Sequence, residues 1–331
     1  MTASRATAAR FLQASGPFLG LVLVCGLFAI ARDNDTGEYL GPIIFSGANL
    51  KNILTQTVIV AVGALGMTLI IVGGGIDLSV GSVVALTSVL GAKLLNAGWS
   101  IPGVAVVSIG LGAGVGLLNA GLVAGLRMMP FIVTLGMMGA VRGAAKWLGG
   151  NQAVFLTEKA APVSKLMQKM NPREFWPLPP GLWVTVGLSL VVAALLRRTV
   201  LGRHIFAIGA NETAARFSGV RVGAVKAATY LIAGLLFGFA GLLQLSRLTQ
   251  GDPTVAVGLE LDIIAAVVIG GASLNGGSGS ILGSLIGALI MAILRNGTNQ
   301  LGWQTYSQEI IIGVVIVLAV GLDKLRQSRA S

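Results

Sequence analysis

The sequence has few charged residues and almost no cysteine or histidine, which are frequent in enzyme active sites. Of its 331 residues only 11% are charged, and it contains one cysteine and one histidine. A single cysteine can form neither a disulfide nor a thiolate metal site within one chain, so Cys25 is interpreted as a packed or lipid-facing thiol. No glycine is followed by lysine, which excludes the P-loop that cradles the phosphates of ATP. We therefore expect a protein that is not an enzyme and that binds no metal or cofactor itself.

Apolar residues take the place of the missing charges. They make up 54% of the chain and the mean hydropathy is +0.86, whereas soluble domains are about 25% charged. Apolar runs recur that are long enough to cross a hydrocarbon core of about 30 Å. They predict an all-α, polytopic transmembrane helix bundle that forms a single domain over residues 1–331. About ten spans are predicted, near 17–32, 53–73, 80–96, 102–125, 131–148, 182–197, 224–246, 256–271, 279–296 and 308–323.

Basic residues in short loops predict the orientation of this bundle. The net charge of +11 is spread over loops between apolar runs, so topology explains it better than nucleic-acid binding. Loops with an excess of Lys and Arg stay in the cytoplasm, and the richest is the segment 197–226. Both termini are then cytoplasmic and the loop 149–181, with an amphipathic stretch at 162–170, is external. We interpret that loop as a docking platform or lid; ordinary loop packing is the alternative.

The segment 197–226 carries the signals of a short helix between two spans. Asn211 can cap the helix N-terminus and Glu212 lies in the first turn, where the helix dipole favours an acid. Arg216 lies near the last turn, and Gly219 can adopt the left-handed conformation that ends a helix. The pattern predicts two turns of helix that are accessible from the cytoplasm.

Glycine is abundant, with 48 residues, about twice the usual 7%. Many glycines are spaced four apart within apolar runs, for example Gly112 with Gly116 and Gly283 with Gly287. In lipid such residues let helices approach closely, so we expect them at helix crossings. They would also allow helices to slide during alternating access.

An internal repeat relates two glycine-rich turns 196 residues apart. The pattern G-G-x-x-L-x-x-G-S begins at Gly74 and again at Gly270, each time after an apolar span. Paired glycine-interrupted segments are typical of broken helices near the permeation path of transporters that consist of two related halves. The predicted gate or broken-helix residues are Gly74, Gly75, Asp77, Ser79, Gly81, Gly270, Gly271, Asn275 and Gly277.

Four ordered motifs together resemble a known family. They are G-R-x-x-x-A-I-G-x-N-x-x-A-A-R-x-S-G-V at 202–220, GGGIDLSVGS at 73–82, PFIVTLGMM at 130–138 and ELDIIAAVVIGGASLNGGSGS at 260–280. Over about residues 45–325 the chain resembles the permease subunits of bacterial ABC sugar importers of the ribose, xylose, arabinose and galactose type.

The resemblance implies the partners and the location of the protein. Two permeases, either two copies or this chain with a paralogue, would form a path for a monosaccharide or polyol across the bacterial inner membrane. A periplasmic binding protein would deliver the sugar, and a separate ATPase subunit, which binds ATP and Mg, would dock on the cytoplasmic coupling segment 202–222. The coupling residues implied are Gly202, Arg203, Ile208, Gly209, Asn211, Glu212, Ala214, Ala215, Arg216, Ser218 and Gly219.

Several polar residues have more than one interpretation. Asp77 or Ser79 can cap the span that starts near residue 80; a gating or ATPase-facing contact and a proton relay are alternatives for Asp77. Asp252 and Glu260 are candidate contacts to the binding protein, although acids such as Glu260 also favour a helix start. The polar residues Asn119, Thr134 and Asn299 are candidates for lining the path or for satisfying neighbouring helices.

A secondary transporter or facilitated channel for a small polar solute is the functional alternative. Ion-coupled transport usually needs acids within the membrane, and this chain has few. The predicted docking helix favours the ABC importer instead.

Overall fold

The computed structural model describes residues 3–32, 37, 39–157 and 178–328, and within them the chain is mainly helical. The amphipathic stretch predicted at 162–170 lies outside the described residues. The helices are α1 Ala3–Ile30, α2 Gly41–Ile44, α3 Gly47–Val72, α4 Val80–Asn96, α5 Ile101–Ala120, a π-helical turn Gly121–Gly125, α6 Pro130–Gly149, α7 Pro180–Arg198, α8 Val200–Ala210, α9 Glu212–Phe217, α10 Val222–Leu248, α11 Leu259–Ile269, α12 Ile281–Gln300 and α13 Thr305–Ser328. Two short strands, β1 Val154–Phe155 and β2 Gln250–Gly251, pair antiparallel.

The helix α3 forms the centre of the bundle. It is apolar on every side, and 94% of its most apolar window is buried, as expected for a helix with neighbours all round it. It packs against α7, α10, α11 and α12. Polar side chains fix it to α12: the amides of Asn49 and Asn296 exchange two hydrogen bonds of 2.7 and 3.0 Å, and the hydroxyls of Thr68 and Ser284 lie 2.7 Å apart.

Each of the ten predicted spans falls on a helix, but the helices differ in length. Five described helices are long and apolar enough to cross a membrane: α3, α5 with its π-helical turn, α7, α10 and α12. The helix at the predicted span 256–271 is α11, which has 11 residues and a length of about 16 Å, roughly half of a span. The count of ten spans and the cytoplasmic termini stay predictions.

Glycines lie where helices cross most closely, as the sequence predicted. A Cβ on Gly112 would overlap the carbonyl oxygen of Gly234 and lie 2.7 Å from the amide nitrogen of Gly238, so α5 and α10 touch backbone to backbone. On α12, a Cβ on Gly287 would overlap the carbonyl oxygen of Ala266 on α11. Only glycine allows this approach, which brings backbones into van der Waals contact in the absence of a hydrophobic force between helices in lipid.

The outward faces of α1, α6, α7 and α13 carry large exposed apolar side chains. Examples are Val22, Leu135, Leu190 and Val317, which are exposed by between 44% and 71%. Contiguous apolar surface of this kind belongs against lipid or another protein rather than water. The bundle therefore has the outside of a multi-pass membrane protein.

Candidate functional site

The segment 202–222 folds as two helices, α8 and α9. The Asn211 Oδ1 accepts a hydrogen bond of 2.9 Å from the Ala214 amide, Glu212 opens α9, and Gly219 has φ +84° just after the helix. The capping, the first-turn acid and the glycine stop predicted for α9 are confirmed. The preceding helix α8, capped by Thr199, was not predicted.

The predicted coupling residues divide between a buried and an exposed side of these helices. Ile208 and Ala215 are buried, and a Cβ on Gly202 would overlap the carbonyl oxygen of Leu196 in α7. The exposed members are Arg203, Asn211, Ala214, Arg216, Ser218 and Gly219. One face of the segment thus packs on the bundle and the other is open.

The sequence-based prediction of the coupling residues did not include Phe217, which is the most exposed apolar side chain of this surface. Phe217, the last residue of α9, is 89% exposed. An exposed aromatic side chain among charged residues is typical of a protein–protein interface, because Phe buries a large apolar area on binding. The signal available in the sequence was the aromatic residue itself, within a segment otherwise rich in arginine.

One salt bridge joins α9 to α10, and a second lies within α9. The Glu212 carboxylate accepts 2.7 Å from Lys226 Nζ at one oxygen and 2.8 Å from Arg216 Nη2 at the other. The hydrogen bond from Lys226 lowers the pKa of Glu212 below its usual range, and the hydrogen bond from Arg216 adds a smaller effect in the same direction. Burial of the carboxylate opposes both. A groove of ≈490 Å³, lined by these side chains, Arg127 and the turn before α6, runs beside α9.

Loss of the Lys226 contact is expected to loosen α9. The contribution of a carboxylate with a lowered pKa is complete above the unfolded pKa of about 4.3 and disappears as the pH falls through the folded pKa. For partly exposed ion pairs it amounts to about 0.2–1 kcal/mol. A spin label at Thr213→Cys, in a Cys25→Ser background, should become more mobile at pH 7 after Lys226→Met. In the parent with Lys226 intact, the label should become more mobile as the pH falls through the folded pKa of Glu212. Equal mobility of the label with and without Lys226 would contradict this.

The two glycine-rich turns end their helices in the same way. Gly74 after α3 and Gly271 after α11 have φ of +79° and +90°, and the amides of Gly75 and Ala272 each donate to the carbonyl five residues earlier, at 2.9 and 3.1 Å. This is the Schellman arrangement, which needs a left-handed residue that glycine supplies most easily. Structurally Gly74 therefore corresponds to Gly271, not to Gly270, so the predicted repeat is out of register by one residue.

These two turns and the end of α8 meet at one junction. The Gly277 amide donates to the carbonyl of Val72 at 2.9 Å. A Cβ on Gly209 would overlap that same carbonyl and lie 2.5 Å from the Gly277 nitrogen. A Cβ on Gly276 would lie 2.8 Å from the Gly209 oxygen and 2.9 Å from the Gly74 Cα. The structure thus brings predicted coupling and gate residues into backbone contact, which we call the glycine junction.

Asp77 lies in the turn between α3 and α4 and is almost fully buried, with 1% exposed. Its Oδ1 accepts from the amide (2.8 Å) and hydroxyl of Ser79, and its Oδ2 accepts from Asn119 Nδ2 at 3.1 Å. The helix α4 starts at Val80 with no side-chain cap. The predicted cap is wrong, because the carboxylate closes a tight turn before the helix and binds α5 instead. Burial also keeps it from direct contact with an ATPase in this conformation.

The three candidate path residues lie in two different places. Asn119 and Thr134 are fully buried, and Thr134 Oγ1 donates 3.1 Å to the Ile76 carbonyl, so both satisfy the turn around Asp77. This matches the alternative of neighbouring-helix contacts, and a role in the path stays a prediction for both. Asn299 instead lines a polar chamber at the other end of α12.

Glu260 faces the interior rather than an open docking surface. Arg142 on α6 lies 4.0 Å from it and donates 3.2 Å to the carbonyls of Pro253 and Ala256. A Cβ on Gly81 would overlap the Glu260 carboxylate. Gly81 was predicted to lie in the turn before α4, but it lies inside that helix. Asp252 is half-buried and accepts 2.7 Å from the Thr254 amide. Contact of either acid with a binding protein stays a prediction.

Comparison with known proteins gives consistent matches along most of the chain. The family model described as branched-chain amino acid transport system / permease component matches residues 49–320. The chain is 40% identical to the ribose import permease protein RbsC of Escherichia coli (strain K12) over 295 residues, which are 87% of this chain and 89% of that protein. It is 38% identical to the ribose import permease protein RbsC of Bacillus subtilis (strain 168) over 318 residues, 96% of this chain and 94% of that protein.

A solved structure shares the fold. It is described as an inward-facing conformation of a metal-chelate type ABC transporter, and the match has a TM-score of 0.50 and covers 96% of this chain and 98% of that one. At 19% identity the similarity concerns the arrangement of helices alone.

Proposed function

The chain belongs to the branched-chain amino acid transport system / permease component family, and we propose that it is the membrane subunit through which an ABC importer takes up a monosaccharide. The chain is similar to ribose import permeases over nearly their full length, which supports a sugar as the solute. The permease makes and breaks no covalent bond. It supplies a path whose two ends open alternately, with energy from a separate ATPase.

The glycine junction is the observation that carries this proposal. α9 exposes Phe217, and α8 connects it to Gly209, whose backbone touches the turn after α3 and the turn before α12. Packed backbones without intervening side chains transmit a displacement directly, because close-packed interiors have low compressibility. Movement of the ATPase against α9 would therefore shift the ends of α3, α4, α11 and α12 together.

The charges beside α9 suit a docked partner. Arg127, Arg216 and Lys226 line the groove next to α9 with Glu212 as its acid. We expect the ATPase to place acidic side chains against this surface and an apolar pocket around Phe217, since interface anchors are typically aromatic. The periplasmic binding protein would dock at the opposite end, where α6 ends at Gly149, and a second permease would pack on the apolar outer helices.

Removal of the Phe217 anchor tests the docking. Phe217→Ser and Ala214→Glu should each reduce co-purification of the ATPase with the tagged permease about tenfold or more, as hot-spot residues cost upwards of 2 kcal/mol. Trp147→Ser is the matched control, because Trp147 is also 84% exposed but lies at the far end of α6. Recovery of the ATPase at the parent level with both α9 variants would rule out docking at α9.

A further inference from the structure

A polar chamber of ≈250 Å³ that is open to the surface on one side lies between α3, α10, α11 and α12. It is at the end opposite α9: Gln244 lies 22 residues beyond the start of α10, about 33 Å along the helix. Its polar side chains are Gln56, Gln244, Arg247, Asp262, Arg295 and Asn299.

The chamber exists because α11 is short. Its 11 residues rise only about 16 Å, whereas α3 and α10 continue past its start. The remaining depth is lined by the non-helical residues Val255 and Val257, which precede α11. Irregular backbone at membrane depth is tolerated where it lines a cavity, and discontinuous helices of this kind surround the substrate sites of transporters.

An internal ion pair fixes the charge on one wall. The Asp262 carboxylate receives two hydrogen bonds from Arg295, 2.6 Å from Nε and 2.9 Å from Nη2, and its side chain is 4% exposed. Both carboxylate oxygens are engaged and the charge of Arg295 is balanced. Asp262 is therefore not available to bind a free cation or the ammonium group of an amino acid.

Other polar side chains of the wall have unused hydrogen-bonding groups. Within the described part of the chain, the side chains of Gln56, Gln244 and Arg247 make no hydrogen bond or salt bridge, although they line the chamber. Asn299 is oriented by a bond of 2.6 Å from Gln308 to its Oδ1, which leaves its amide NH₂ group for the chamber. Arg247 and Asn299 are exposed at the mouth of the chamber, whereas Gln244 is buried, and a buried polar group in a membrane protein is costly unless it has a partner or a function.

We propose that this chamber is a binding site for one polyhydroxylated solute of monosaccharide size, inside each permease protomer. Amide groups that both donate and accept, together with a guanidinium group that donates, match the hydroxyls of a sugar. The volume lies just below the range of about 300–1,000 Å³ of pockets for drug-sized ligands, as a single sugar requires. The proposal rests on the proposed sugar import and adds that the permease itself contacts the sugar.

Protection of an introduced thiol tests the site directly. In a Cys25→Ser background, the assembled transporter in nanodiscs carries Gln244→Cys, and its reaction with a small thiol reagent is timed with and without ribose. Ribose at about ten times its dissociation constant should slow the reaction about tenfold, and leucine should not. Gln152→Cys, at an exposed loop position, is the control whose rate should not change.

A second position and a transport assay make the result decisive. Asn299→Cys repeats the measurement if Gln244→Cys fails to assemble with the ATPase. The proposal is overturned if ribose protects neither position, or if leucine protects as well as ribose. Ribose uptake by the unmodified complex is measured in parallel. Uptake without protection would contradict only the proposal that the chamber binds the sugar, whereas protection without uptake would contradict the proposed import function.

Discussion

Gly209→Ala is expected to lower sugar uptake about tenfold or more, while the chain still inserts and binds its ATPase. The added Cβ would overlap the carbonyl of Val72 and lie 2.5 Å from the Gly277 nitrogen. Both are backbone atoms of the glycine junction that cannot rotate away. Overpacking of this kind costs about 1–3 kcal/mol, which corresponds to about 5–150-fold in the balance between two conformations.

The matched control is Gly223→Ala, at the start of α10. It is also a helical glycine near α9, but its Cβ would meet nothing within 4 Å. Alanine is favoured over glycine in helices, so this variant should keep full uptake. Uptake is measured as ATP-driven entry of labelled sugar into vesicles. Equal uptake by both variants would show that the junction does not transmit movement.

Gly112→Leu is expected to destabilise the bundle strongly. The α5–α10 crossing has no room for a side chain, because the new Cβ would lie 2.7 Å from the Gly238 nitrogen and overlap the Gly234 carbonyl. A cost of about 3 kcal/mol or more would lower the thermal midpoint of the detergent-solubilised protein by roughly 10 °C. Gly110→Leu, two residues earlier in α5 and facing open space, should leave that midpoint unchanged. Similar midpoints for the two leucine variants would contradict the crossing.

The elements that could be predicted from sequence are those determined locally. The cap Asn211, the acid Glu212 and the stop Gly219 lie within nine residues and act on the same short helix, so their pattern was readable. The glycines at helix crossings were readable as well, because their four-residue spacing marks one face of a helix.

The rest depends on contacts between distant parts of the chain. The glycine junction joins Val72, Gly209 and Gly277, and the register of the repeat became clear only from the φ angles of its turns. The chamber needs Gln56 near Asp262 and a helix α11 that stops at half length. The prediction that Asp77 or Ser79 caps α4 was wrong, because the Asp77 carboxylate binds Ser79 in the turn before the helix and Asn119 on α5.

The most direct test of the account is sugar uptake into proteoliposomes that contain the permease purified with its partners. We predict that a monosaccharide enters only when the ATPase, ATP and a soluble binding protein are all present, and that Gly209→Ala abolishes most of this uptake. Entry of the sugar through the permease alone, driven by its own gradient or an ion gradient, would contradict the account and identify a secondary transporter or channel.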